Sequence, residues 1–283
     1  MSASQNQVKP TRRNWVSFYS LFVLQTQNAF NDKAAQFLLI PLGGLLVSTS
    51  SIPSASRLEY VLGALIVLPF ILFAPIAGWL SDRFSKTSVI RSAIFLQFAV
   101  FLCILCAVYY QNLWLAVFGF FLLSVESVIL SPAKRGIVKE LVGHDRLGFA
   151  SGVLEMSVVL AVCIGQVLSS WWFDINLIEL EREKPGDLSN GWTAAFVPLL
   201  IITAATIPTI LLSYGIEKKP AMGKRNFELK ILWEHFSQLK DLCEDRRIRL
   251  SSVGIAFFWG FAGFLNLAAI QMGKDTSGGG LGF

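Results

Sequence analysis

Between Ser92 and Val125 the chain carries no lysine, arginine, aspartate or glutamate, and the same holds from Tyr60 to Leu80 and from Gly191 to Ile216. A helix of about 20 apolar residues matches the hydrocarbon thickness of a bilayer. A backbone in lipid must also satisfy its own polar groups, so segments of this kind fold as helices. Over all 283 residues only 15% are charged and 54% are hydrophobic, whereas soluble domains carry about a quarter charged residues. These features describe an all-α, polytopic membrane protein and exclude a disordered chain, a collagen-like repeat and a soluble enzyme.

Seven spans follow from length and flanking residues: Val16–Val47, Tyr60–Leu80, Val89–Tyr110, Leu113–Leu130, Gly148–Trp172, Trp192–Tyr214 and Leu250–Met272. The apolar run of the first is interrupted from Gln25 to Lys33. Residues 1–15 form a polar tail, 16–214 a six-helix bundle, 215–249 a linker, 250–272 the seventh helix and 273–283 an external loop. With the tail in the cytoplasm, 19 of the 24 lysines and arginines fall on the inner side. The outer loops hold Arg57, Arg182 and Lys184. This asymmetry sets the orientation, and it accounts for the net charge of +5 without nucleic acid. In the linker, Phe227, Ile231, Leu232, Phe236, Leu239 and Leu242 fall near helical spacing among charges. The spacing predicts a helix lying along the inner membrane surface.

The four cysteines and two histidines carry little chemistry. Cys103 and Cys106 form a C-x-x-C within an apolar span, which lacks the exposed, electropositive setting of reactive thiols. His144 and His235 are far apart, so no metal site or cofactor is expected. A catalytic constellation is also missing, and the chain is expected not to be an enzyme.

Polar residues inside the spans are the candidate functional groups, because lipid exposure of such groups is costly. Gln25, Asn28, Asp32 and Gln36 are spaced by three, four and four residues and form one stripe, with Lys33 beside it. Glu126 lies within the fourth span and Glu155 within the fifth. Each is compatible with internal ion pairing, with binding a cationic group or with carrying a proton. Pro132 is expected to end helix four, Ser131 then capping a new helix, which leaves Lys134 and Arg135 at a cytoplasmic rim rich in anionic head groups. Topology anchoring explains those two cations equally well. Gly148 and Gly152 form a small-xxx-small pair suited to close helix packing. At the end of helix two, Asp82 faces the wrong end of its helix dipole. Compensation from a base or a neighbouring helix N-terminus would suit a contact that makes and breaks.

Gly78, Leu80, Asp82, Arg83 and Lys86 resemble the loop motif G-x-L-x-D-R-x-G-R/K of the major facilitator superfamily, with Ser85 in place of the glycine. Several segments resemble, more narrowly, the bacterial lysophospholipid transporters of that superfamily. These are Ile71-Leu72-Phe73-Ala74-Pro75, Ser131-Pro132-Ala133-Lys134-Arg135-Gly136-Ile137 with Glu140-Leu141, Ala150-Ser151-Gly152-Val153-Leu154-Glu155, and Phe258-Trp259-Gly260. The likeness runs from about Gln25 to Gly263. It implies a helix bundle of two six-helix halves, of which this chain holds one half and the first helix of the other, and so predicts that the frame continues beyond Phe283. It further implies movement of lysophospholipid to the inner leaflet of the bacterial cytoplasmic membrane, for re-acylation by an acyltransferase that is separate or fused beyond Phe283. The binding candidates are Gln25, Asn28, Asp32, Lys33, Gln36, Glu126 and Glu155. The gating candidates are Gly78, Asp82, Arg83 and Lys86, and the rim candidates Lys134 and Arg135. A proton-coupled exporter of small molecules, or a membrane module delivering substrate to a fused enzyme, fits the same residues.

Overall fold

The computed structural model describes residues 11–48, 58–218, 220 and 244–276. Among them are seven helices and no strand: α1 (Arg12–Ser48), α2 (Leu58–Arg83), α3 (Lys86–Tyr109), α4 (Leu113–Val142), α5 (Leu147–Glu183), α6 (Ser189–Ser213) and α7 (Arg246–Thr276). Six of them, α2 to α7, are long and apolar enough to cross a membrane; α1 carries the polar stripe. The chain divides into two compact units, Met1–Arg225 and Asn226–Phe283. The expected surface helix of the linker lies almost wholly in 221–243, outside the described residues, as do the tail before Thr11 and the segment 277–283.

In the first unit α1 packs most extensively on α5 and also against α6 and α4, while α4 packs on α3 and α2. α1 and α4 each pack on four other helices, and they carry the polar residues. One end of the bundle is closed by an apolar core. Phe18, Leu21 and Leu24 of α1 meet Ile90 and Ile94 of α3, Ile137 and Leu141 of α4, and Leu154 of α5.

Polar residues 25–33 interrupt the hydrophobicity of α1, and the helix runs through them without a break. Two expectations about helix limits are corrected. Pro132 does not end helix four; α4 continues from Leu113 to Val142 with the proline inside it. A proline removes one backbone hydrogen bond and crowds the preceding turn. Unwinding the helix in an apolar setting would leave several more groups unbonded, so the helix persists. Pro41, Pro69, Pro75, Pro198 and Pro208 also lie inside helices. Helix five extends past Trp172 to Glu183, about 55 Å in all. Its added turns are held by packing and bonding: Phe173 and Leu177 are buried, and Asn176 donates to the Ala194 carbonyl of α6 at 3.3 Å. Asn190, at the start of α6, donates to the Glu181 carboxylate at 2.9 Å.

The α4–α5 connection is short because Gly143 takes φ 76° at the end of α4, a left-handed conformation open to glycine at little cost. Its N–H closes the last turn on the Lys139 carbonyl at 3.1 Å.

Candidate functional site

The α1 stripe turns inward. Gln25, Asn28 and Gln36 are buried, and Asn31, which the sequence reading omitted, is completely so. Asn31 accepts from the Gln27 side-chain amide at 3.0 Å, and its own amide nitrogen has no hydrogen-bond partner among the described residues.

Facing this stripe is α4. Ser127 donates to Asp32 Oδ2 at 2.6 Å, and Asn28 Nδ2 donates to Glu126 Oε2 at 3.4 Å. Glu126 is fully buried. The second oxygens, Asp32 Oδ1 and Glu126 Oε1, have no hydrogen-bond partner among the described residues. Two carboxyl groups therefore share one interior site and act on each other electrostatically. Gln97, buried on α3, is close enough to act on Asp32, and its amide nitrogen has no hydrogen-bond partner among the described residues.

The cations divide among several surroundings. Lys33 neighbours Asp32 in sequence, but its ammonium donates to Gln36 Oε1 at 2.8 Å and lies 5.8 Å from the Phe37 ring. Lys134, expected at the rim, is half-buried and acts on both Asp32 and Glu126. Because α4 is continuous, Lys134 follows Ser127 by seven residues on the same helix face, about 10 Å further along. Arg135 is exposed. Glu155 is exposed on α5 and acts electrostatically on Lys134.

At the closed end of the bundle the loop-motif residues form a second group. α2 and α3 are joined by Phe84 and Ser85 alone. Ser85 has φ −57° and ψ 125°, an extended conformation open to any residue, so glycine is not required there. Asp82 is exposed and makes no hydrogen bond or ion pair among the described residues, and a Cβ on Gly78 would meet nothing within 4 Å. The partner of this motif is instead at Lys86, whose ammonium pairs with the Glu140 carboxylate of α4. Its stem crosses Gly136, where an added Cβ would come within 2.7 Å of Lys86 Cε. Gly136 and Glu140 are one helical turn apart, so the glycine clears the path along which the lysine reaches the acid.

The small-residue pair Gly148 and Gly152 makes no close packing among the described residues, where neither would bring a Cβ within 4 Å of another group. Close approach of α1 and α5 occurs at Gly165, where a Cβ would lie 2.8 Å from the Phe30 carbonyl oxygen. No cluster of metal-ligating side chains occurs among the described residues.

The family model of the Major Facilitator Superfamily matches residues 21–282. A lysophospholipid transporter LplT from Photorhabdus laumondii subsp. laumondii is 28% identical over 244 residues, which cover 85% of this chain and 54% of that protein. Its namesake from Salmonella heidelberg is 29% identical over 245 residues, 85% of this chain and 53% of that protein. The chain thus spans about half the length of these curated relatives. Among solved structures, tetrameric PepTSo2 matches with 13% identity and a TM-score of 0.49, over 93% of this chain and 58% of that one. The family match reaches from α1 to beyond α7, over most of the sequence, and the chain belongs to the Major Facilitator Superfamily.

Proposed function

We propose that this chain forms part of a lysophospholipid transporter that carries its substrate to the inner leaflet of a bacterial cytoplasmic membrane, the N-terminus lying in the cytoplasm. The observation that carries the reading is the buried mixed-charge site of α1 and α4, taken with the names of the relatives. A lysophospholipid head group has a phosphate and, in many cases, an ammonium. Asp32 and Glu126 each offer an unbonded carboxylate oxygen to an ammonium, while Lys33 and Lys134 supply cations for a phosphate. Asn28 and Gln36, already hydrogen-bonded to Glu126 and Lys33, orient the charged groups. The acyl chain needs only apolar surface, which every helix provides.

Transport by alternating access would rock two halves about a mid-membrane site. The Lys86–Glu140 pair holds α3 to α4 at one end of this half and so keeps its helices moving together. Re-acylation by an acyltransferase, separate or on the same polypeptide, would then trap the product in the inner leaflet.

Asp32→Ala in the complete protein is expected to reduce uptake of labelled lysophosphatidylethanolamine into spheroplasts by about thirtyfold or more, the effect of losing one buried charge partner. Membrane insertion, followed by an epitope tag, should stay at the wild-type level. Wild-type uptake in this variant would sink the assignment of the head group to Asp32. Absence of uptake in the wild type, with expulsion of a dye following the pH gradient, would favour a proton-coupled exporter.

A further inference from the structure

The last residues of α6 and the four that follow are tied to two other helices in a way that no transport step described above uses. A helix C-terminus leaves carbonyls without intrahelical partners. Here Arg91 of α3 donates to the carbonyl of the last helical residue and to two that follow it. Its Nε donates to the Ser213 carbonyl at 3.2 Å, and its Nη2 to those of Tyr214 at 3.4 Å and Ile216 at 3.0 Å. The guanidinium also lies 4.8 Å from the Tyr214 ring centroid, a cation–π distance. One turn earlier on α3, Thr87 donates to the Glu217 carbonyl at 2.8 Å.

The other side of the segment is fastened to α1. The Glu217 N–H donates to Ser17 Oγ at 2.9 Å, and that hydroxyl is 3.4 Å from the Gly215 carbonyl it donates to. The Arg13 guanidinium is 3.9 Å from the Glu217 carboxylate. Gly215 is needed for the approach, since a Cβ there would lie 2.8 Å from Ser20 Oγ. Ile216 is buried in the apolar core between these helices.

We propose that residues 213–217 form a strap, clasped by Arg91, that fixes the point at which the chain leaves the six-helix bundle. A helix end followed by an ordinary loop would fray. This one carries a cation over its C-terminal carbonyls, where the helix dipole favours it, and a fork of donors that a single ammonium cannot match. Arg91 is the positioning residue of this strap.

Amide hydrogen exchange in detergent tests this without any substrate, so its outcome is independent of the lysophospholipid reading. In the complete protein, Arg91→Ala is expected to accelerate exchange of the amides of residues 214–217 by about tenfold or more, leaving the first half of α6 unchanged. Arg91→Lys should restore part of the protection. Ser17→Ala should act on the Glu217 amide alone, because Ser17 accepts that N–H. Should Arg91→Ala fail to accumulate, Thr87→Val is expected to give a smaller acceleration confined to the same segment. Unchanged exchange at 214–217 in the variants, or acceleration spread evenly over α3 to α6, would overturn the proposal.

Discussion

Replacing Gly165 by valine is expected to lower the thermal unfolding midpoint of the detergent-solubilised protein by about 5 °C, from an overpacking cost of roughly 1–3 kcal/mol. The reason is what a side chain would meet. The Cβ would lie 2.8 Å from the Phe30 carbonyl oxygen, 3.3 Å from a ring carbon of Phe30 and 3.4 Å from its Cα. Two of these atoms are backbone, and a helix in lipid cannot rotate a carbonyl away without leaving it unbonded. Relief must come from moving α1 off α5, along the most extensive helix contact in the bundle. Such a shift reaches the charged site directly, because Phe30 lies between Asn28 and Asp32. The 2.6 Å bond from Ser127 to Asp32 would stretch. Uptake should therefore fall along with stability. Gly152→Val supplies the contrast: among the described residues nothing lies within 4 Å of its Cβ, and its midpoint should stay within a degree or so of wild type. Equal midpoints for the two variants would show that the α1–α5 contact tolerates a larger residue.

How far the site was legible in the sequence depends on which helix a residue belongs to. The stripe on α1 needs only helical periodicity and the cost of polar groups in lipid, both local properties, and Asn28 and Gln36 are buried as that argument expects. The partners of the stripe are another matter. Ser127 and Gln97 are ordinary residues in apolar runs, and nothing within α3 or α4 says that they stand beside Asp32. Only the packing of three helices does. Asn31 was overlooked because it is offset from the three-and-four spacing, although a buried amide in a membrane helix is itself a signal.

Pro132 shows a local rule giving way to its surroundings. If proline stops a helix, the following lysine belongs to a cytoplasmic turn; in a water-free environment the helix continues, and the lysine returns to the Ser127 face. Glu155 is exposed on α5, which spacing alone does not foretell. Its presence in a span suggested an interior position, yet helix rotation sets which face an isolated acid takes, and one residue carries no periodicity. The glycines show the same limit. Spacing picked out Gly148 and Gly152, whereas close approach occurs at Gly165 and Gly136, where the opposing atoms belong to other helices.

Exchanging the charges of Lys86 and Glu140 is expected to restore what either reversal alone destroys. Both side chains are largely shielded, at 11% and 16% exposure, so removing one partner leaves an uncompensated charge at a cost of about 3 kcal/mol. Glu140→Lys should be worse than Glu140→Ala, since two cations then meet over Gly136. Lys86→Glu should fail in the same way with two acids. The double variant Lys86→Glu with Glu140→Lys regains the pair and also improves its setting. Lys86 is the first residue of α3 and Glu140 lies in the last turn of α4, so the native charges oppose both helix dipoles, and the exchanged charges agree with them. Stability of the double variant should therefore equal or exceed that of the wild type. A double-mutant cycle of thermal or denaturant unfolding should give a coupling of about 3 kcal/mol, little altered by salt because the pair is shielded. A double variant as unstable as its parents would mean that the two side chains act separately. If the pair also takes part in transport, the exchanged variant will be stable yet slower in uptake, because dipole-favoured charges hold α3 against α4 more firmly than the native ones.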